Sequence, residues 1–580
     1  MIMNVSSVGY RTAGQPIQIS PNLGVTHLKG TAREVGIQYG LAFGQDLVDF
    51  ESTAHDLIKQ SAGLFRGFIA WHVLLPVYAR LQWGKISAPL QDELLGIAEG
   101  AQQLGRSERL RNKKMRRLSA FYDFSINMAL TGQGCAFFAV RNAARKLLIG
   151  RNFDINFDAL RTLERSQILI YDIEGVEGQR PFISMGPVFF NAAPITSIIR
   201  GENGDPIFFA LHNALGPTRF LGLGLPTVEL ARQATQQPDF ESLRQLLEDT
   251  TDTCAKKIVV ASPDQALVAD FVPGVRTFIQ ELEEGERALA ATNHYQVEGA
   301  EEYETEEEAE HGWSLNSQIR LHRIYEALEK TPATVQGALQ VLAPAVDFGE
   351  DPISPPFDND FRWPTSANLN LTYGSYMVDP ETGMLWVGAG PFAPHSDMYG
   401  FEIAELFNFT RAGQGLLVER HNQDHDEKKL EAMMDFNVKL REARDLHRQG
   451  KLAEAQKLIR PLLDINQDHV RVQLLNGAIE LERFGPSDQC LECFRNVLDI
   501  EMDKQVPLEE QRGSALAHLL SGLAHDLQGK RELALIDYAL TVELEETNAF
   551  GRKAAEMARR FLASPCRRLP SHKRLAYLFL

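Results

Sequence analysis

A short segment of the chain carries the residue types that activate a thiol. It reads GQGCAFFAVRNAARKLLIGRNFDINFD from Gly132 to Asp158, with Cys135 opening one apolar run and Arg151 and Asp154 ending the next. A cation beside a thiol favours the thiolate, which is the nucleophilic form, and a carboxylate beside it can hold an ammonium group. The residue types alone leave a second interpretation open, in which Cys135 is packed in a sheet and the other two form an ordinary ion pair at a strand end.

The two apolar runs of this segment predict a β-hairpin. The first run covers residues 136–140, the second begins at residue 147, and a turn lies between them. Antiparallel neighbours lie side by side, so the hairpin returns the chain towards Cys135 at Arg151, 16 positions later, and at Asp154, 19 positions later. The hairpin is therefore expected to bring the thiol, the cation and the carboxylate together.

This segment resembles the self-processing penicillin acyltransferase-like family and, more distantly, the choloylglycine hydrolases. In those proteins a nucleophilic cysteine precedes a strand, and a Gly-Arg-Asn-x-Asp motif follows at this interval, as Gly150 to Asp154 does here. In the acyltransferase branch the cysteine is internal in the precursor and follows a glycine. The resemblance implies autocleavage between Gly134 and Cys135, which makes Cys135 the first residue of the larger fragment. It also implies the fold of the N-terminal-nucleophile hydrolases.

Two later motifs extend the resemblance. Leu289–Tyr295 (LAATNHY) is similar to the family's Thr-Asn-His-aromatic motif, which implies that Asn293 contributes to the oxyanion hole. Ser317–Arg323 (SQIRLHR) is similar to the start of a family helix, which implies that Arg320 is a second active-site arginine. The chain departs from the family where Asn-Glu-x-Gly-Leu is expected and reads Glu202–Pro206 (ENGDP), so no substrate-contacting asparagine is assigned there.

The expected reaction uses no metal or other cofactor. The α-amine of Cys135, with an ordinary pKa of about 7.7–8.0, takes the thiol proton, and the thiolate attacks an amide carbonyl to form a thioester. The expected function is hydrolysis of a linear amide in a small N-acyl compound or a small peptide. Transfer of the acyl group to an amine acceptor is the first alternative. The second alternative is a catalytically silent protein whose C-terminal helical repeats bind partners.

The pattern of apolar residues changes twice along the 580 residues. It is mainly helical in residues 1–134, consists of short strand-like runs with a few helices in residues 135–425, and is helical again in residues 426–580. The first part is expected to be a pro-region, and the second a catalytic domain with the four-layer αββα sandwich implied by the resemblance. The predicted fold class is therefore α+β, followed by an all-α domain.

Three stretches in the last part look related, and they begin at Gly450, Gly485 and Gly529. Each continues into an amphipathic helix. The first interval of 35 residues is close to the tetratricopeptide period of about 34, and the second interval of 44 residues implies an insertion around Met502–Pro507. These stretches predict tetratricopeptide-like repeats, whose concave surface suits a peptide or protein partner. Cys490 and Cys493 lie inside one predicted helix without a second ligand pair at metal spacing, which favours core packing over a zinc or redox site.

Charge and composition restrict the class of partner. With 59 Lys plus Arg against 77 Asp plus Glu, the formal net charge is −18, and the chain lacks the basic surface that nucleic-acid binding requires. The N-terminus has no basic segment followed by an apolar one, so no secretion signal is predicted and a cytoplasmic location is expected. The most apolar stretch, Ala62–Leu81, contains Arg66 and Arg80, which favours a buried helical hairpin over a membrane span.

Overall fold

The computed structural model describes residues 2–5, 14–62, 64–103, 112–127, 135–154, 166–188, 194–214, 216, 224–251, 254–304, 313–342, 372–390, 393, 397–409, 416–421, 427–503, 512–547, 553–572 and 575. Over these residues the fold is α+β with a helical C-terminal region, as the sequence predicts at the level of fold class. The chain divides into two compact units. The first comprises Met1–Thr305, Arg320–Pro344 and Ala367–Gln423, and the second comprises Glu306–Ile319, Ala345–Ser366 and Asp424–Leu580.

The strands of the first unit form two large sheets. In chain order they are β1 Ile2–Val5, β2 Ile17–Ser20, β3 Leu23–Thr31, β4 Cys135–Arg141, β5 Leu147–Asp154, β6 Ser166–Glu174, β7 Phe182–Pro187, β8 Thr196–Arg200, β9 Pro206–Asn213, β10 Lys256–Ala261, β11 Ala266–Phe271, β12 Thr277–Glu281, β13 Ala288–Ala291, β14 Thr372–Asp379, β15 Met384–Ala389, β16 Met398–Glu402 and β17 Leu416–His421. Within the described residues one sheet has the order β1-β17-β16-β15-β14-β5-β4-β13, and the other has the order β12-β11-β10-β9-β8-β7-β6-β3-β2. Strands β3 and β6 pair in parallel.

The helices precede, interrupt and follow these strands. They are α1 Ala32–Ala62, α2 Leu64–Ile69, α3 Leu75–Trp83, α4 Ala88–Gln103, α5 Asn112–Asn127, α6 Thr227–Ala234, α7 Phe240–Asp249, α8 Trp313–Lys330, α9 Val335–Leu342, α10 Ile403–Phe407, α11 Glu427–Arg448, α12 Leu452–Ile465, α13 Val470–Phe484, α14 Asp488–Asp503, α15 Arg512–Leu527, α16 Arg531–Thr547 and α17 Lys553–Ala563. A π-helical turn, Ala70–Leu74, joins α2 to α3.

The two sheets share one hydrophobic core, and helices cover their other faces. Phe137 on β4 stacks against Phe208 on β9 with ring centroids 6.3 Å apart, and both belong to a cluster that draws residues from both sheets. The next residue along β4, Phe138, belongs instead to a cluster with residues of α8 and α9. Tyr171 of the second sheet packs in a third cluster with residues of α1 and α4. Because side chains alternate along β4, Cys135 lies on the same face as Phe137, towards the second sheet.

A glycine on β5 leaves room for an aromatic ring of β4 across the hairpin. Gly150 pairs with Phe138 across the hairpin, and a Cβ on Gly150 would lie only 2.2 Å from the Phe138 ring. Any larger residue would displace that ring or push β5 away from β4. Gly150 therefore leaves room for the Phe138 ring over the strand that carries Arg151 and Asp154.

The stretch from Ala62 to Leu81 does not form the buried hairpin expected from its apolar content. Over its described residues α2, the π-helical turn and α3 follow one another without a break, and Phe68, Val77 and Leu81 are each more than half exposed. Pro76 lies in the first turn of α3, directly after the π-helical turn, and the helical run continues through it. None of the described helices combines the length and apolar content needed to cross a membrane.

The C-terminal helices of the second unit follow one another in joined pairs. The turns joining α11 to α12, α13 to α14 and α15 to α16 contain Gly450, Gly485 and Gly529, with φ values of +76°, +84° and +74°. These are the three glycines at which the related sequence stretches begin. A left-handed backbone of this kind favours glycine, so each glycine allows one helix to end and the next to start.

Candidate active site

The predicted hairpin is present, and it brings Arg151 to the thiol. Cys135 is the first residue of β4 and pairs with Phe153 of β5, while Arg151 pairs with Phe137, two residues further along β4. Arg151 Nη2 lies 3.8 Å from Cys135 Sγ. The cysteine is only 2% exposed, so the thiol and the guanidinium meet in a buried environment.

The second sheet fixes the guanidinium of Arg151. Its Nη1 donates to the Ile195 carbonyl at 2.9 Å and to the Thr196 hydroxyl, and its Nη2 donates to the Leu211 carbonyl at 2.6 Å. Backbone carbonyls compensate part of the cost of burying this charge. The cation is therefore held against the thiol by residues that immediately precede β8 or lie in β8 and β9.

Two side chains hold the backbone of Cys135 itself. Its N–H donates to Asn293 Oδ1 at 2.9 Å, and its carbonyl accepts from Arg320 Nη1 at 3.1 Å. Arg320 Nη2 also donates to Asn293 Oδ1, at 2.5 Å. The Cys135 nitrogen is the atom that would become an α-amine if the preceding peptide bond were cut. Side chains from two distant segments thus orient both the nitrogen and the carbonyl of the candidate nucleophile.

Both polar atoms of the Asn293 side chain form hydrogen bonds in the uncut chain. Oδ1 accepts from Cys135 and Arg320, and Nδ2 donates to the Asn213 carbonyl at 2.8 Å. In this arrangement Asn293 positions the backbone of Cys135. The oxyanion role implied by the resemblance would fall to Nδ2, because an amide NH2 group carries two N–H donors and Oδ1 carries none.

Asp154 ends β5 as a buried carboxyl group with a strongly shifted pKa. Burial raises its pKa from 3.8 to about 7, against the opposing effects of the Thr372 hydroxyl, Arg320 and Arg151. The Thr372 hydroxyl donates to Oδ1, and Oδ2 has no hydrogen-bond partner among the described residues. Near neutral pH this carboxyl group therefore exists in both protonation states.

The pKa of the Cys135 thiol is also raised. Burial is the largest cause, the charge of Asp154 raises the pKa further, and Arg151 lowers it. The thiol of the continuous chain is therefore protonated near neutral pH. Reaction requires a base nearby, and exposure of the site would remove part of the burial effect.

The shifted pKa of Asp154 predicts a pH-dependent stability. A carboxyl whose folded pKa lies above its unfolded value stabilises the fold at low pH, and this contribution disappears as pH rises from about 4 to about 7. Asp154→Asn mimics the protonated form, so the variant should lose less stability than the parent between pH 5 and pH 8. Urea unfolding of both chains in a Cys135→Ala background, which keeps their covalent state the same, measures this difference. Parallel pH profiles would contradict the assigned ionisation.

The structure adds Asn213 and Tyr122 to the predicted residues. Asn213 ends β9, its carbonyl accepts from Asn293, and its Oδ1 accepts from the Tyr122 hydroxyl at 2.7 Å. Burial raises the pKa of Tyr122, with smaller contributions from Cys254 and Cys135. An asparagine ending the apolar run PIFFALHN was the available signal for Asn213. Tyr122, on a helix before the expected cut, left no comparable signal.

Two histidines near the cluster are weak bases. Burial is the main cause that lowers the pKa of His294 to about 3 and that of His212 well below its ordinary value. The charges of Lys257 and Arg320 lower both pKa values further. An imidazole with so low a pKa is poorly matched to proton abstraction near pH 7, which leaves the carboxyl of Asp154 and a new α-amine as better candidates.

The structure brings most of the predicted site residues together. Cys135, Arg151, Asp154, Asn293 and Arg320 form one buried cluster at the ends of β4 and β5, and Gly134 lies outside the described residues. In this cluster Arg151 can stabilise a thiolate on Cys135, Asn293 orients the backbone nitrogen of Cys135, and Asp154 can gain or lose a proton near neutral pH. No model of a known protein family matches the chain, and no curated protein matches it either.

Proposed function

We propose that the chain is a cysteine N-terminal-nucleophile hydrolase, activated by a cut between Gly134 and Cys135, that cleaves linear amides. The observation that carries this proposal is the pair of side chains on the Cys135 backbone. Asn293 accepts from its nitrogen and Arg320 donates to its carbonyl, while Arg151 reaches its sulfur. A cysteine that only fills a core needs none of these contacts.

The arrangement of the secondary structure supports the same proposal. Two sheets that share a core, with helices against their outer faces, fit a four-layer αββα sandwich with the nucleophile at the start of an inner strand. In the second unit, the helix pairs joined at left-handed glycines fit tetratricopeptide-like repeats. Such repeats would offer a surface for a peptide or protein partner.

The proposed cut is an attack by Cys135 on the residue before it. Sγ adds to the Gly134 carbonyl carbon, the C–N bond to Cys135 breaks, and the nitrogen gains the thiol proton, which leaves a thioester on Sγ. Water then hydrolyses the thioester and frees both the thiol and the Gly134 carboxyl group. Arg151 stabilises the sulfur anion, and Asn293 Oδ1 holds the nitrogen that becomes the amine.

The mature enzyme would repeat this chemistry on a substrate. The new α-amine of Cys135 takes the thiol proton, and the thiolate attacks the amide carbonyl. The amine product leaves with a proton, and water hydrolyses the acyl thioester to a carboxylic acid. The charge of Arg151 lowers the pKa of the thiol and so favours the thiolate, and Asn293 and Arg320 hold the backbone of the residue that carries both the α-amine and the sulfur.

An acyl-enzyme experiment tests this proposal. N-acyl 4-nitroanilides with short to long acyl chains, mixed with the purified protein, should give a rapid burst of 4-nitroaniline followed by slower turnover. Peptide mass spectrometry of the quenched reaction should then find the acyl group on Cys135, and Cys490→Ala, altered in the core of the second unit, should behave like the parent. Turnover that survives alkylation of Cys135, or the absence of any acyl group on it, would overturn the proposal.

A further inference from the structure

A carboxylate from the segment before the expected cut lies in a buried site of hydrogen-bond donors. Asp123 of α5 accepts from the Thr227 N–H at 3.0 Å, from the Thr227 hydroxyl, and from the Cys254 thiol at 3.3 Å. Lys256 Nζ lies 3.9 Å from the same carboxylate and donates to the Thr227 hydroxyl. Asp123 is 1% exposed and Lys256 is fully buried, so this is an enclosed anion site.

The anion site lies next to the thiol cluster. Lys256 pairs with Asn213 in the ladder between β10 and β9. The Asn213 side chain accepts from Tyr122, the neighbour of Asp123 on α5, and its carbonyl accepts from Asn293. Asn293 in turn holds the nitrogen of Cys135. A continuous chain of contacts therefore links the buried carboxylate to the candidate nucleophile.

The donors and the carboxylate come from opposite sides of the proposed cut. The N–H of Thr227 belongs to the first turn of α6, where an anion is favoured, and Lys256 extends its Nζ from β10 to within 3.9 Å of the carboxylate. Thr227 and Lys256 follow residue 134 in the sequence, whereas Asp123 precedes it. Cleavage would leave Asp123 on a separate polypeptide, and the bonds that retain it would then be noncovalent.

We propose that Lys256, Thr227 and the first turn of α6 form a carboxylate-binding subsite of the mature enzyme, which Asp123 occupies in the uncut chain. The inference rests on the proposed function and names its substrate class: amides with a carboxylate a few bonds from the scissile carbonyl. N-acyl amino acids carry that carboxylate on the amine side, and monoamides of dicarboxylic acids carry it on the acyl side. Because Asp123 of α5 occupies this site in the uncut chain, withdrawal of α5 would vacate the subsite.

Paired alkylating reagents test the subsite without knowledge of the natural substrate. The cut protein is treated with iodoacetate or iodoacetamide, and with 3-maleimidopropionate or its amide. Peptide mass spectrometry measures the rate of modification at Cys135. Dividing the rate with the carboxylate reagent by the rate with its amide removes any change in the accessibility of Cys135 that affects both reagents equally. Lys256→Met should lower this ratio by about tenfold. Asp123→Asn should raise it, because the competing carboxylate is gone.

These opposite directions distinguish a subsite from a structural ion pair. If Lys256 and Asp123 only hold α5 in place, Lys256→Met and Asp123→Asn weaken the same contact. The ratio of charged to neutral modification rates would then stay unchanged or change in the same direction in both variants. Either result overturns the inference. Glu93→Gln is the matched control, since Glu93 forms a buried ion pair at 2.8 Å with Arg232 of the same helix α6. Its ratio should equal that of the parent.

Two further measurements keep the test decisive. If Lys256→Met does not fold, Thr227→Val removes a donor to the carboxylate and should lower the ratio in the same direction. Hydrolysis of N-pentanoylglycine and of glutaryl 4-nitroanilide, each beside its uncharged analogue, shows which side of the amide carries the recognised carboxylate. An uncut chain, or a Cys135 that no reagent modifies, would count against the proposed function. If the chain is cut and Cys135 is modified, but Lys256→Met has the same ratio of charged to neutral modification rates as the parent, only the subsite is contradicted.

Discussion

Replacing Cys135 with alanine should leave the chain uncut and lower amide hydrolysis by about 10⁴-fold or more. The variant lacks the sulfur that attacks the Gly134 carbonyl, and it lacks the atom that carries the acyl group. Neither Arg151 nor Asp154 can substitute, because a guanidinium is not a nucleophile near pH 7 and a carboxylate is a weak nucleophile towards an amide carbonyl. Denaturing gel electrophoresis measures the cut, and release of 4-nitroaniline measures the hydrolysis.

A second cysteine variant controls for loss of a buried thiol. Cys490 lies in the core of the second unit, so Cys490→Ala should be cut and active even if its unit becomes less stable. A Cys135→Ala protein that is cut and active would show that another residue is the nucleophile. The contacts on the Cys135 backbone would then be purely structural.

Replacing Asn293 with leucine should slow both the cut and amide hydrolysis by about 10²–10³-fold, the range for loss of one preorganised polar group. Leucine has similar bulk but cannot accept from the Cys135 nitrogen or from Arg320. The nitrogen then loses its orientation, and Arg320 loses a partner in a buried site. The rate of fragment formation in freshly synthesised protein and the initial rate on 4-nitroanilides measure the two effects.

The Asn293→Asp variant separates the functions of the two amide atoms. It retains an oxygen that can accept from Cys135 and Arg320 but loses the donor to the Asn213 carbonyl. Recovery of the cut in this variant, beside failure in Asn293→Leu, would identify acceptance from the Cys135 nitrogen as the important contact. Asn476→Leu, which alters a buried asparagine of the second unit, should leave both rates unchanged. If Asn293→Leu and Asn293→Asp are cut and hydrolyse amides as fast as the parent and the Asn476→Leu control, Asn293 has no part in the mechanism.

The hairpin that carries the thiol could be predicted from the sequence, because the residues that define its two strands and its turn are close together in the chain. Two apolar runs separated by a turn specify two paired strands, and the short loop determines where Arg151 returns beside Cys135. The contacts of Asn293 and Arg320 join residues 158 and 185 positions from Cys135. No hydrophobic period encodes such distances, so these residues could be assigned only through the resemblance.

Contacts between distant segments also explain what the sequence did not reveal. β3 pairs in parallel with β6, and the partner of such a strand lies far along the chain, where local patterns carry no information. Asn213 and Tyr122 meet across 91 positions, and the Asp123 site combines residues from α5, α6 and β10. Apolar content does not distinguish a buried helix from one that exposes apolar side chains, so the sequence predicts a buried hairpin where the chain around Pro76 forms one unbroken helical run.

The mass and N-terminal residue of the purified chains test the proposed activation most directly. Intact mass spectrometry under denaturing conditions should find two polypeptides, one ending at Gly134 and one of residues 135–580 with Cys135 as its free first residue. A single uncut chain that still hydrolyses amides would contradict activation by cleavage. A break at any other bond would contradict the assignment of Cys135 as the N-terminal nucleophile.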